Sequence, residues 1–311
     1  MRACDTHRLF FSAIFSLTVR TVDIARLLLL AALWGGSYAF MRVVAPVFGG
    51  FGTMWLRISI AGVALLGFAL LTREDLQFRL WWKKYLYLGM LNSALPFALI
   101  AFAMKTLPAG YGAILNAIAP FFAALFAARM LDERLTPPRM LGMLLGFIGV
   151  VLVMNLGDLA LTRETLTAVA AMVIATCSYG YIIVYTKQKL QGAPGMGLAV
   201  GSMLLPAILL APIGVITIPP IFPPMPVVLS LMGLAIFCSA IAYLLYFRLI
   251  RDIGPTRAIS VTFLVPVFGV LWGAIFFGEA LNGGTIFGGT IVLVGVALVF
   301  GMLPIKFSRN T

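Results

Sequence analysis

The chain has 311 residues, of which 62% are hydrophobic and 10% charged, and its mean hydropathy is +1.08. A soluble domain carries about a quarter charged residues, so this composition excludes a soluble globular fold, a disordered chain and a secreted disulfide scaffold. The formal net charge of +12 would suggest nucleic-acid binding in a soluble chain. In a membrane protein such cations set orientation and contact anionic lipid heads. We therefore expect an all-α integral membrane protein with no nucleic-acid partner.

Ten apolar stretches are each long enough, at about 20 residues, to cross a bilayer. The predicted spans are 24–44, 53–72, 83–104, 109–129, 138–156, 165–186, 196–217, 226–248, 256–277 and 283–304. The connections between them are short, which leaves no room for a soluble domain. The apolar run 9–19 is too short to span, and charged residues follow it instead of a small-residue cleavage site. We expect residues 1–23 to form an N-terminal cytoplasmic extension.

The distribution of Lys and Arg predicts the orientation in the membrane, because cytoplasmic loops are rich in these residues. If the N-terminus is cytoplasmic, most of the 22 Lys and Arg residues fall on the cytoplasmic side. The exceptions are Arg42, Lys105 and Arg163 on the opposite side and Arg57 inside the second span. Both termini, including a cytoplasmic tail at 305–311, are therefore expected to face the cytoplasm, where the cations contact anionic lipid heads.

The sequence also contains an internal repeat with a shift of 146 residues. The shift aligns Pro, Glu and Gly positions as well as apolar ones: Ser93 with Ser239, Pro120 with Pro266, Glu133 with Glu279, Gly142 with Gly288, and Gly149 with Gly295. Each half has an odd number of spans, so the second half must begin on the opposite face of the membrane. The cations Arg129, Arg134 and Arg139 accordingly have neutral counterparts. We predict two inverted five-helix repeats, 24–156 and 165–304, an architecture from which many secondary transporters are built.

Short motifs accompany this repeat. The first span contains the run WGGSY, residues 34–38, and the second contains Arg57. The stretch Asn116…Pro120…Glu133 has a second copy, Thr262…Pro266…Glu279, and the last span is Gly-rich. Over residues 24–304 this pattern resembles the EamA-type branch of the drug/metabolite transporter superfamily. The resemblance implies an exporter of amino acids or other small metabolites in a bacterial inner membrane.

The two repeat-related prolines predict where a substrate binds, because paired interrupted spans mark the binding site of many transporters. A proline within a helix frees the carbonyl of the residue four positions earlier, which here is Asn116 for Pro120 and Thr262 for Pro266. These four residues are candidates for a central cavity. The alternative is a simple kink whose carbonyl group is capped by a neighbouring hydroxyl.

Other polar or aromatic residues at membrane depth are further cavity candidates, since polar groups are costly in hydrocarbon. They are Trp34, Ser37, Tyr38, Asn92, Ser178 and Tyr179. Ser93 and Ser239, each beside an alanine, are interpreted instead as small packing residues, and Tyr243 as an interfacial anchor. Arg57 either extends to the external surface or pairs with a substrate carboxylate.

No carboxylate lies in the middle of a predicted span, since all ten Asp and Glu residues fall in tails, loops or span ends. Buried acids commonly relay protons and bind cations in transporters, so cationic-drug extrusion and carboxylate-coupled transport lose support. The acid-free interior favours a secondary transporter that exports a neutral, zwitterionic or anionic metabolite by alternating access. The family resemblance implies amino acids as substrates, and the aromatic, acid-free interior favours neutral and aromatic ones among them. Efflux of drugs or other apolar metabolites is the alternative.

An enzyme is not expected, because the chain has no nucleophile elbow, HExxH motif or P-loop. The three cysteines and the single histidine, His7, are too few and too scattered for a metal site of ordinary ligand count. We therefore assign no catalytic residue, metal or cofactor. A channel is a weaker alternative, since no filter-like loop of repeated carbonyl groups is evident.

Overall fold

The computed structural model describes residues 20–103, 106, 115–154, 162–278 and 283–303. Every regular element within these ranges is helical. The predicted N-terminal extension, up to residue 19, and the tail from 304 lie outside the described residues, as does the side chain of Tyr38.

The first half of the chain forms helices α1 (Thr21–Leu71), α2 (Phe78–Gly89), π1 (Met90–Ala94), α3 (Leu95–Ala103), α4 (Ala119–Met130) and α5 (Pro137–Met154). The second half forms α6 (Arg163–Lys189), α7 (Gly195–Ile216), α8 (Met225–Ala235), π2 (Ile236–Ile241), α9 (Ala242–Ile253), α10 (Pro255–Ile259), α11 (Val261–Phe277) and α12 (Gly283–Phe300).

The long helix α1 contains two predicted spans in succession. Gly49 divides it, with φ of 66° and ψ of 171°, a backbone conformation that glycine adopts without steric cost. Similar local signals shape other boundaries: Thr162 caps α6 by accepting a hydrogen bond from the Thr165 amide at 3.2 Å, and Gly254 with φ of 85° separates α9 from α10.

Six stretches of the described residues are long and apolar enough to cross a membrane: Thr21–Met41, Val43–Leu71, Arg163–Lys189, Gly195–Ile216, Met225–Ile253 and Pro255–Phe276. Shorter apolar helices cover Ala119–Met130, Pro137–Leu152 and Ile286–Phe300. Many large apolar side chains on these helices are exposed, as expected for a surface that faces lipid.

Helices α5 and α12 pack closely through glycines. A Cβ atom on Gly142 would lie 2.6 Å from the Gly295 carbonyl oxygen, and one on Gly149 would lie 2.7 Å from the Gly288 carbonyl oxygen. Small residues allow backbones in a membrane to approach in this way. The two helices run antiparallel, because the contacting residue in α12 has a lower number where the one in α5 has a higher number.

Elsewhere in the bundle, two contacts between a glycine and a phenylalanine resemble each other, with the glycine in opposite halves of the chain. A Cβ on Gly35 would lie 2.6 Å from the Cβ of Phe268, and one on Gly180 would lie 2.5 Å from the Cβ of Phe122. Phe122 and Phe268 are 146 positions apart in the sequence. By its packing, Gly180 therefore corresponds to Gly35.

The sequence did not predict two short π-helices. In each, the helix widens by one residue per turn, which is rare and frequent at functional sites. Elements π1 and π2 begin at Met90 and Ile236, the same distance apart as the sequence repeat. Each contains one of the paired serines, Ser93 and Ser239.

The two aligned prolines lie in different local settings. Pro120 lies in the first turn of α4, where a missing amide hydrogen costs nothing, directly after a break at residues 117–118 that separates α4 from the helical residues 115–116. Pro266 lies inside α11.

Candidate substrate-binding site

Arg57 lies inside the helix bundle and not at its surface, with 8% of its area exposed. Its Nε donates a hydrogen bond to Ser239 Oγ at 2.5 Å, and its Nη2 donates to the Cys238 carbonyl oxygen at 2.7 Å. In the described ranges it has no carboxylate partner, and its third nitrogen, Nη1, has no hydrogen-bond acceptor. A buried guanidinium needs such acceptors, because an uncompensated charge is costly away from water.

The geometry of π2 supplies these acceptors. Ser239 Oγ donates its own hydrogen to the Leu234 carbonyl oxygen at 3.2 Å, which leaves its lone pairs free to accept from Arg57. Ser239 is therefore a polar ligand of Arg57, and its interpretation as a small packing residue is incomplete.

Element π1 presents a second polar position, Asn92, which is 2% exposed. Its Nδ2 is buried and has no hydrogen-bond partner. The neighbouring Ser93 donates to the Ser202 carbonyl oxygen at 3.2 Å, and Ser178 of α6 donates to the Leu91 carbonyl oxygen at 2.7 Å. These bonds hold π1 against α7 and α6, and neither involves the side chain of Asn92.

An aromatic cluster lies beside these polar groups. The Trp34 ring packs 6.1 Å from that of Tyr243 and 5.2 Å from that of Tyr246, measured between ring centroids. Both tyrosines are buried, and the Nε1 of Trp34 is buried without a partner. Tyr243 also lies next to Arg57, Asn92 and Ser93. We call Trp34, Arg57, Asn92, Tyr243 and Tyr246 the Tyr243 cluster.

The Tyr243 cluster unites some of the sequence-derived candidates and leaves others apart. Trp34, Arg57 and Asn92 belong to it, and Ser178 supports it through π1. Ser37 donates to the Trp34 carbonyl oxygen at 2.5 Å within its own helix, and the ring of Tyr179 packs against the main hydrophobic core.

Asn116 and Thr262 make no hydrogen bond to the Tyr243 cluster in the described part of the chain. Asn116 has a buried, unpartnered Oδ1. Thr262 is 7% exposed and donates to the Ile259 carbonyl oxygen at 2.9 Å. Of this repeat pair, only Asn116 therefore has a polar atom left unpaired.

Sequence reasoning missed Tyr246 and misjudged Tyr243, which is buried at 7% exposure and is not an interfacial anchor. It also missed Ser239 and the Cys238 carbonyl as ligands of Arg57. The alignment of Ser93 with Ser239 was the one available signal, because polar residues that recur at one shift inside apolar spans are unusual.

Two nitrogen donors of the Tyr243 cluster, Arg57 Nη1 and Trp34 Nε1, have no acceptor in the described residues, and Asn92 Nδ2 has only the neighbouring Tyr243 hydroxyl beside it. A carboxylate accepts several hydrogen bonds and offers none, and its bonds to a guanidinium are stronger than those between neutral groups. The cluster is therefore complementary to a small carboxylate-bearing molecule, with aromatic rings alongside for an apolar portion.

Two segments of the chain, residues 24–155 and 166–301, each match the EamA-like transporter family. This chain belongs to the EamA-like transporter family. It is thus a membrane transporter, and the Tyr243 cluster combines residues from both matched segments.

The chain is similar to bacterial relatives over most of its length. It is 27% identical over 230 residues to the protein PecM of Dickeya dadantii, covering 72% of this chain and 73% of PecM. It is 28% identical over 237 residues to a probable amino-acid metabolite efflux pump of Salmonella typhimurium, with coverage of 71% and 78%. It is 26% identical over 257 residues to the uncharacterized inner membrane transporter YedA of Escherichia coli, with coverage of 80% and 81%.

A solved crystal structure shares the fold. The two chains superimpose with a TM-score of 0.79 at 18% identity, covering 91% of this chain and 98% of the other. At this identity the likeness shows a shared fold and carries no information about substrate.

Proposed function

We propose that this EamA-family transporter exports small metabolites, with amino acids, neutral and aromatic ones in particular, as its substrates. The observation that carries the proposal is the Tyr243 cluster, in which a buried arginine has no acidic partner in the described residues. A substrate carboxylate supplies the missing acceptors, and the Trp34 and tyrosine rings accommodate an apolar or aromatic side chain. Similarity to a probable amino-acid metabolite efflux pump supports the same substrate class.

We propose ten membrane-spanning helices in two inverted five-helix repeats, 24–156 and 165–304. Three features support this arrangement. Helices α5 and α12 cross antiparallel, and the offset between π1 and π2 equals that of the sequence repeat. In addition, Gly35 contacts Phe268 in the second half, whereas Gly180 contacts Phe122 in the first. Contacts that repeat with partners exchanged are expected across a two-fold axis. The proposed location is a bacterial inner membrane with both termini cytoplasmic, in keeping with the inner membrane relative.

The proposed mechanism is alternating access around the Tyr243 cluster. Arg57 on α1 contacts π2, and Ser202 on α7 contacts π1, so rocking of one half against the other would move both contacts together. Both contacts involve a π-helical segment, and such segments are frequent at functional sites.

The test is efflux of a labelled amino-acid panel from proteoliposomes, with and without a pH gradient. We expect saturable efflux of aromatic and neutral amino acids that does not require the gradient, because the described membrane interior contains no carboxylate to relay protons. The absence of flux for every amino acid would overturn the substrate class and favour the alternative, efflux of drugs or apolar metabolites.

The same assay tests the role of Arg57. Arg57→Gln removes the charge that pairs with the carboxylate, and a hydrogen bond to a charged group is worth about 1.5–3 kcal/mol, so we expect the KM for amino acids to rise about tenfold or more. Arg79→Gln, at an exposed position of α2, is the matched control and should transport normally. An unchanged KM in a folded Arg57→Gln protein would remove this residue from the binding site.

A further inference from the structure

A cavity of about 400 Å³ lies where the end of α4 and the start of α5 meet α9 and α10. Its walls include Glu133, Arg134, Arg139, Thr256 and Arg257, none of which belongs to the Tyr243 cluster. We call it the arginine cavity.

The charges around the arginine cavity do not balance. The lining contains three guanidinium groups and one carboxylate, and the one ion pair among these described residues, Arg139 to Glu133, is long at 3.7 Å. The Nε of Arg257 is buried without a hydrogen-bond partner. The cavity therefore has surplus positive charge and at least one donor without an acceptor, a combination that favours an anion.

The sequence repeat indicates that these arginines are not needed to build the fold. Positions equivalent to Arg134, Arg139 and Arg257 in the other half are Ala280, Thr285 and Tyr111, whereas Glu133 keeps its glutamate counterpart, Glu279. The connection that carries Arg134 and Arg139 is therefore made once with arginines and once without. The bias of cations towards the cytoplasmic face accounts for their presence on this face.

An apolar strip leads away from the cavity along α5. Met140, Leu144, Ile148 and Leu152 are all exposed and follow one another at intervals of four residues, so they share one face of the helix. Met140 is adjacent to Arg139 in the chain. This arrangement places an acyl-chain surface directly beside a cationic cavity.

We propose that the arginine cavity binds a phosphate group, and that the phosphate belongs to an anionic phospholipid whose acyl chain lies along the Met140–Leu152 face. Basic pockets between membrane helices commonly bind anionic head groups, and the planar donors of arginine match phosphate oxygens. The Nε of Arg257 and the guanidinium of Arg139 supply donors to the phosphate, and the exposed Arg134 closes the rim. The proposal does not depend on the identity of the transported substrate.

The experiment is native mass spectrometry of delipidated full-length protein titrated with phosphatidylglycerol and, separately, with phosphatidylcholine. The variants are Arg257→Gln, Arg139→Gln and the charge-conserving Arg257→Lys, with Arg79→Gln as the control for loss of an exposed arginine. We expect phosphatidylglycerol to bind the unmodified protein about tenfold more tightly than phosphatidylcholine. Arg257→Gln should remove most of this preference, Arg257→Lys should retain part of it, and Arg79→Gln should retain all of it.

A second titration separates a lipid head group from free phosphate. Inorganic phosphate is added to the same protein, and the midpoint of thermal unfolding is recorded for the unmodified chain and for Arg257→Gln. Stabilisation by inorganic phosphate with no preference for phosphatidylglycerol would overturn the lipid assignment in favour of a free anion. Phosphatidylglycerol binding that survives in a folded Arg257→Gln protein would overturn the site itself.

Discussion

Arg57 shows how a single residue acquires its role from its surroundings. An arginine near the end of a span ordinarily extends towards the head groups, but here the π2 backbone and Ser239 offer acceptors inside the bundle at 2.5 and 2.7 Å. The arginine also lies next to Tyr243 of the Tyr243 cluster. The local supply of acceptors, and not the arginine alone, makes this position a candidate site for an anionic group.

Ser239→Ala should destabilise the protein, because it leaves the Nε of Arg57 buried without its acceptor. We expect a loss of about 1–3 kcal/mol in the free energy of unfolding, seen as a lower thermal unfolding midpoint in detergent. Ser59→Ala is the control, because the Ser59 hydroxyl bonds only to the Trp55 carbonyl of its own helix. Equal unfolding midpoints for the two variants would contradict the role of Ser239.

Asn116 and Thr262 should respond differently to removal, although the sequence pairs them. The Oδ1 of Asn116 is buried and unpartnered, so Asn116→Ala deletes a group that contributes little to stability. We expect it to lower amino-acid flux without lowering the unfolding midpoint. Thr262→Ala removes a hydrogen bond to the Ile259 carbonyl oxygen three residues earlier in the chain. Because one such hydrogen bond contributes little, we expect flux to stay within about twofold of normal. Normal flux through Asn116→Ala at normal protein levels would exclude Asn116 from the substrate path.

At the scale of helices, close packing and local irregularity have separate causes. Helices α5 and α12 meet through glycines whose missing side chains let the backbones touch, which fixes their relative position. The π1 and π2 segments instead expose backbone carbonyls that Ser178 and Arg57 bind. Helices α5 and α12 thus stabilise the bundle, and π1 and π2 form its polar centre.

Gly295→Ala should disrupt the α5–α12 interface, because the added Cβ would lie 2.5 Å from the Gly146 amide nitrogen. Overpacking of this kind costs about 1–3 kcal/mol, so we expect a clear drop in the unfolding midpoint. The control is Gly67→Ala in α1, where an added Cβ has nothing within 4 Å. Alanine there should be neutral or stabilising by up to about 1 kcal/mol. If Gly295→Ala unfolds at the same temperature as Gly67→Ala, the close contact is not present.

At the scale of the whole molecule, the uneven distribution of cations is the property that distinguishes the two faces. The arginine cavity lies on the face predicted to be cytoplasmic, and its repeat-related positions lack the arginines. The aligned positions thus differ in charge, as expected when charge sets orientation in the membrane.

Labelling with a membrane-impermeant maleimide tests this orientation. In a background without Cys4, Cys177 and Cys238, a single cysteine is placed at exposed Ile221 or at Glu74. We expect Ile221→Cys to react in intact cells, because the α7–α8 connection is predicted to be external, and Glu74→Cys to react only after permeabilisation. Labelling in detergent gives the total for each site. The reverse pattern would invert the topology.

Much of the architecture could be predicted from the sequence because the membrane imposes a simple rule. Backbone polar groups in lipid must be satisfied within the segment, so hydropathy alone indicates helices, and short connections indicate neighbouring ones. The 146-residue shift likewise needed only Pro, Glu and Gly positions such as Glu133 and Glu279. Arg57 and Trp34 could be selected because polar and amphipathic residues are few at membrane depth.

The remaining features depend on contacts between distant segments, which no local pattern encodes. The widening of π1 and π2, the burial of Tyr243 and Tyr246, and the pairing of Arg57 with Ser239 arise only when the two halves pack together. Pro120 shows the same limit, because it follows a break in the helix whereas its repeat partner Pro266 lies inside one. The sequence by itself determined the membrane location, the helices and the repeat, since these follow from hydropathy and periodicity. Only the tertiary structure decided which polar groups meet and which stay unpaired, because hydrogen-bond satisfaction is set by three-dimensional neighbours.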